Sequence, residues 1–150
     1  DALRKVYQTL IYNQPAFTEA TAGRQTTTYN TRLICVLGAA GGGRDKWKRP
    51  EFGRIADEYC DEIILTNEDP YEEDPEKIIN EVASGISSKN KVIKVLDRRE
   101  AIKTALSKAL KGDTVVITGK GSEVSMAVAG GIKISWSDRQ IVRELLKFDS

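Results

Sequence analysis

The chain has 150 residues, 40% of them hydrophobic and 30% charged, with a formal net charge of +1, the profile of one globular domain with its own core. So even a balance excludes a broad field for nucleic acid or an anionic membrane, and no apolar run approaches the ~20 residues that span a bilayer. There is no histidine, which excludes Ser-His and Cys-His nucleophilic dyads and every histidine-ligated metal within the chain.

The first element is announced by Leu3, Val6, Tyr7, Leu10 and Ile11, the i, i+3, i+4, i+7 stripe of an amphipathic helix over residues 2–12. From Asn13 to Thr31 the periodicity dissolves into Thr, Ala, Gln and Gly, and residues 14–31 read as a long mobile loop. Leu33–Leu37 is a continuous apolar run closed by glycines, and similar runs return at residues 63–65, 92–96 and 114–118; they predict four buried strands. The helices between them have legible starts. Pro50 suits a first helical turn ahead of Phe52, Ile55, Ala56 and Tyr59 on one face. Asp74-Pro75 reads as an N-cap with proline at the first helical position, leading to Ile78, Ile79, Val82 and Ile86. Asp97 with Glu100 reads as a capping box before Ile102, Ala105, Leu106, Ala109 and Leu110. Residues 125–129 and 132–136 flank Gly130-Gly131 as a hairpin, and Ser137 with Gln140 caps a last helix carrying Ile141, Val142, Leu145 and Leu146.

Strand–helix alternation of this kind implies right-handed βαβ units. The expected fold is a single α/β domain with a three-layer, Rossmann-like, mostly parallel sheet, the hairpin supplying an antiparallel C-terminal edge. Cys35 and Cys60 sit in apolar contexts without metal-ligand spacing, and two buried thiols are expected in preference to a disulfide.

In such sheets ligands bind at the loops beyond the carboxyl ends of the strands, and three loops qualify. The first, residues 38–50, combines glycines with Arg44, Lys46, Lys48 and Arg49. Glycines let amide N–H groups approach an anion at a helix start, although the spacing matches neither a dinucleotide fingerprint nor a phosphate loop. A tight turn before a solvated basic patch is the alternative, and Arg44 and Lys46 favour the anion. The second, residues 67–74, holds five carboxylates, which the start of a helix capped by Asp74 explains by itself. In the third, Gly119-Lys120-Gly121-Ser122-Glu123, a turn accounts for the glycines but not for Lys120 or Glu123.

With these loops in this order the chain resembles the C-terminal domain of the Mur ligases, nearest the tripeptide synthetases that add the third amino acid of the peptidoglycan stem. The resemblance runs from Asp1-Ala2-Leu3 to Ser137-Asp138-Arg139, is most specific over residues 41–50, 67–75 and 118–123, and leaves residues 14–31 foreign. It implies an ATP-dependent acid–amino acid ligase working with Mg²⁺. In that family a carboxylate of UDP-MurNAc-dipeptide attacks the γ-phosphate of ATP, and the acyl phosphate is captured by the amine of an amino acid held by this domain. Arg44 is then expected at the amino acid's carboxylate, which a guanidinium meets with two parallel donors. Asp69, Tyr71, Gly119 and Glu123 are expected around the amino acid's side chain, and Lys46 or Lys48 towards the ATP phosphates. No catalytic group and no metal ligand is assigned within the chain.

Two departures bear on specificity. Tyr71 stands where members selecting meso-diaminopimelate carry the arginine of Asp-Asn-Pro-Arg, which points to a lysine-like diamino acid. Ser122 stands where the family usually has the histidine of Gly-Lys-Gly-His-Glu. No phosphate-loop motif occurs in the chain. The resemblance therefore implies an excised cytoplasmic domain that starts just after a strand and an Asp-Tyr-Ala-His-Thr-Pro segment and is inactive by itself. Two other readings stay open: a ligase of the folylpolyglutamate or cyanophycin type, and a non-catalytic module that binds an anion or nucleotide.

Overall fold

At the centre lies β1 (Leu33–Leu37), with all five residues buried; it has no polar face because helices cover both sides of it. The computed structural model describes residues 2–12, 31–43, 45–120 and 123–147, so the loop expected over residues 14–31 lies, apart from Thr31, outside the described residues. β1 is flanked by β2 (Glu62–Leu65) and β4 (Thr114–Ile117), and β3 (Val92–Lys94) pairs with the far side of β2. All pairings are parallel, in the order β3-β2-β1-β4. Helices α1 (Ala2–Tyr12), α2 (Lys48–Tyr59) and α3 (Pro75–Ala83) cover one face, where Cys35 and Leu37 meet Ile55, Ile79 and Val82. Helices α4 (Arg98–Lys108) and α5 (Asp138–Lys147) cover the other, where Ile34 and Val36 meet Ala101, Ile102 and Ala105. The alternation of β1 between two cores follows from the two-residue period of a strand, and each fully buried Ile or Leu contributes about 1.5–3 kcal/mol. The three-layer α/β architecture is the one expected.

Capping residues fix where the helices start. Asp74 accepts the Glu76 N–H at 3.0 Å, Asp97 accepts that of Glu100 at 3.0 Å, and Ser137 Oγ accepts that of Gln140 at 3.2 Å. Helix α2 meets α3 and the turn that follows it backbone to backbone. A Cβ on Gly53 would lie 2.0 Å from the Val82 carbonyl oxygen, and one on Gly85 would lie 1.8 Å from that of Pro50. Only glycine fits at these two places.

Four details depart from expectation. β3 stops at Lys94 instead of Leu96; Val95 N–H still reaches Leu65 O, but Asn67 N–H and the Thr66 hydroxyl then take Leu96 O, so the chain bends over the second loop. α4 ends at Lys108, which leaves Leu110 beyond it and 70% exposed. The hairpin of β5 (Ser125–Val128) and β6 (Ile132–Ser135) turns at Gly130 and Gly131, both at positive φ. It forms a two-stranded sheet of its own and not an edge of the parallel sheet. Its ties run to the second loop: Ala127 N–H donates to Asp69 Oδ1, Tyr71 N–H to Ala127 O, and Gly130 N–H to Glu72 Oε1. Finally, Cys35 and Cys60 form a disulfide with their Cα atoms 6.2 Å apart, which corrects the expectation of free thiols. The bond joins the middle of β1 to the C-cap of α2, a tertiary contact that neither local sequence announces.

Candidate functional site

Beyond the carboxyl ends of β1, β2 and β4 the chain encloses a cleft of about 1020 Å³. Leu3 and Val6 of α1 and Phe52 of α2 form an apolar wall, and the polar lining includes Lys48, Glu68 and Thr118. All three loops contribute, as the position of ligand sites in parallel sheets requires.

The first and second loops are locked together. Gly41 N–H donates to Asp69 O at 2.7 Å, and Gly43 N–H donates to Glu73 Oε2 at 3.0 Å. Arg49, only 1% exposed, sits in the first turn of α2 and donates to Glu73 and Glu81 at 2.7 Å each and to Ala40 O at 3.0 Å. These guanidinium hydrogen bonds, with the Gly43 amide, hold the Glu73 carboxyl down at about 2.

The second and third loops are locked by Lys120, whose side chain is wholly buried and donates to Asp69 Oδ1 and Glu123 Oε2 at 2.7 Å each. Burial opposes the ammonium, but the two carboxylates outweigh it and leave its pKa raised. Asp69 Oδ1 also accepts the Ala127 N–H at 2.8 Å, so this oxygen joins three segments.

Between these ties lies Glu68, 9% exposed and part of the cleft lining. Among the described residues its carboxyl makes no hydrogen bond. It lies against the third loop, because a Cβ on Gly119 would meet its Oε2 at 3.0 Å. Burial pushes it up to about 7; the neighbouring Asp69 adds to that, and Arg98 and Lys120 pull against it. A buried carboxyl without a hydrogen bond suits the ammonium of a ligand; Lys48 and Arg49 share the lining but are already paired, with Asp45 and with Glu73 and Glu81.

Of the residues expected from sequence, Lys48, Tyr71 and Gly119 line the cleft. Lys48 Nζ pairs with Asp45 at 3.2 Å and lies 5.5 Å from the centre of the Trp47 ring. Tyr71, at φ 51, packs its ring on Gly42. Asp69 and Glu123 are brought together, but by Lys120 and outside the lining. Lys46 pairs with Glu73 at 3.4 Å, also outside it. Arg44 and Ser122 lie outside the described residues. Sequence reasoning missed Glu68, because a run of acids before a helix has a sufficient explanation in capping. It also missed Arg49, Lys120 and Arg98 as buried cations, for which the sequence carries no local signal. Among the described residues no group of three or more His, Cys, Asp or Glu is placed to hold a metal ion, and no helix is long and apolar enough to cross a membrane.

A family model described as "Mur ligase, glutamate ligase domain" matches residues 13–121. The chain is 50% identical over 118 residues to the UDP-N-acetylmuramoyl-L-alanyl-D-glutamate–2,6-diaminopimelate ligase of Aquifex aeolicus, a match covering 79% of this chain and 24% of that protein. It is 46% identical over 115 residues to the ligase of the same name from Nitrosomonas europaea, covering 77% and 22%. A solved structure of a ligase of that name superposes with a TM-score of 0.79 at 33% identity, covering 99% of this chain and 27% of that one. The chain thus spans about a quarter of the length of the curated relatives it matches. Because the family match extends over the whole parallel sheet and the loops that build the cleft, the chain belongs to the Mur ligases, as their glutamate ligase domain.

Proposed function

We propose that this domain holds the incoming amino acid of an ATP-dependent acid–amino acid ligase and presents its amine to an acyl phosphate formed on UDP-MurNAc-dipeptide. The observation that carries the reading is the buried Glu68 carboxyl, without a hydrogen bond among the described residues, in the lining of the cleft that all three loops build. That carboxyl fits one amine of a diamino acid. The names of the matched relatives support a diamino acid and the UDP-linked acceptor over a folylpolyglutamate or cyanophycin-type substrate and over a non-catalytic module.

In this reading Arg44 grips the α-carboxylate, Tyr71 and Gly119 flank the side chain, and Asp69 and Glu123 shape the pocket through Lys120. Tyr71 in place of an arginine favours a side chain ending in an amine without a second carboxylate, whereas the matched relatives are named for 2,6-diaminopimelate, which has two; the amino-acid panel below decides between them. Lys48 fits a phosphate of ATP, while Lys46 is turned to Glu73. The role proposed for the described residues is to bind and orient the amino acid. When bound, ATP supplies the phosphoryl group that activates the acceptor carboxylate. A cytoplasmic reaction fits the nucleotide-linked substrates of this proposal.

The test replaces the matching segment of the Aquifex ligase with this chain and measures phosphate release against a panel of amino acids. Release that depends on a diamino acid is expected, and Arg44→Ala should raise the amino-acid KM at least tenfold with a smaller change in kcat. No such release from a folded chimera, together with no binding of lysine or diaminopimelate by the domain itself, overturns the proposal.

A further inference from the structure

We infer that Arg98 is the positioning residue of the cleft: one buried guanidinium, anchored by Asp138, sets the spacing of all three loops. The inference rests on the reading of the cleft as an amino-acid site. Arg98 does not itself line the cleft.

Its placement is costly without such a role. It is the first residue of α4, directly after the cap Asp97, where the helix dipole disfavours a cation, and it is 2% exposed, where burial disfavours a charge. A buried ion pair contributes little to stability against an apolar replacement, so stability alone does not account for it.

What it holds does. Arg98 Nε and Nη2 donate to the two oxygens of Asp138 at 2.8 and 2.7 Å, a bidentate pair. Nη1 donates to the Asn67 carbonyl of the second loop at 2.9 Å, and Nη2 also donates to the Thr118 carbonyl at the start of the third at 3.0 Å. The first loop packs on the same group, since a Cβ on Gly38 would lie 3.4 Å from Nη1. Glu68 is thereby displayed between two fixed neighbours, Asn67 held by Arg98 and Asp69 held by Lys120. The anchor is itself fixed: Asp138 is 6% exposed and accepts the Trp136 indole N–H at 2.7 Å. A lysine keeps the charge but not the planar fork that serves three directions at once.

Arg32 is the control away from the cleft, a guanidinium with a similar set of ties but a side chain 33% exposed against 1% for Arg98. At the amino end of β1 it donates to Asp113, Glu62 and the Lys108 carbonyl at 2.9–3.0 Å, so it ties strands and a helix as Arg98 does but away from the cleft.

The test is an NMR titration of the 150-residue protein with L-lysine and with meso-diaminopimelate, together with the Tm of each variant. Arg98→Lys and Asp138→Asn should weaken binding at least tenfold while their spectra remain folded. Arg32→Lys should lower Tm without changing Kd, so lost stability by itself does not mimic the effect. Wild-type Kd in both cleft-side variants overturns the inference. Should Arg98→Lys not fold, Asp138→Asn decides by the same readout. Should that fail too, Trp136→Phe decides: about threefold weaker binding supports the inference and an unchanged Kd overturns it. A wild-type protein that binds neither amino acid overturns the amino-acid reading and the inference with it, a result distinct from binding that the variants retain.

Discussion

Glu68 and Glu73 are near neighbours in sequence and opposites in protonation. The Glu68 carboxyl is pushed up from 4.5 to about 7, chiefly by burial. Between those values the folded state holds a proton that the unfolded chain has released. Its contribution to stability is therefore full below pH 4.5 and lost as the pH rises through 7. Glu68→Gln removes that loss. The variant's unfolding free energy should exceed that of wild type by an amount that grows from about pH 5 to about pH 8 and reaches roughly 3 kcal/mol. Urea melts across that range check it, and a difference independent of pH would refute the assignment. Glu73, drawn down to about 2 by Arg49, contributes in the other sense: its stabilisation is present above 4.5 and lost as the pH falls towards 2. Neither environment is legible in a sequence where both residues stand in one acidic run, because what separates them is contact with chain that is distant in sequence.

At the scale of elements the sequence is far more transparent. Strands β1 and β2, the N-caps Asp74 and Asp97 and the Ser137–Gln140 start of α5 are all readable, because each is specified by neighbours within a few residues. Asp97→Ala should cost about 1 kcal/mol in a urea melt, and a change under a few tenths would show that α4 does not depend on its cap. The site divides along the same line. That three loops meet beyond the strand ends follows from the βαβ pattern. That Lys120 bridges Asp69 and Glu123, and that the hairpin leaves the parallel sheet to dock on residues 69–72, does not follow, since both are settled by packing between segments some 50 residues apart.

For the molecule as a whole, the Cys35–Cys60 bond closes a loop with a sequence separation of 25 that contains the first cleft loop and all of α2. In the chain-entropy picture a loop of that length contributes roughly 3 kcal/mol. Melts of wild type with and without a strong dithiol reductant should differ by about that amount, and identical melts would remove the bond from the stability of the fold. These sulfurs belong to residues 0% and 3% exposed, and thiolate attack on a disulfide needs access. The backbone contact between α2 and α3 acts on the same region. Helices that meet only through side chains can shear past one another to open or shut a site. A helix that meets its neighbour and the turn after it peptide against peptide, at Gly53 with Val82 and at Pro50 with Gly85, has less such freedom. The two are one beam, and the cations at the head of α2 and the carboxylates leading into α3 are bolted to it at a fixed gauge, whether or not anything lies in the cleft.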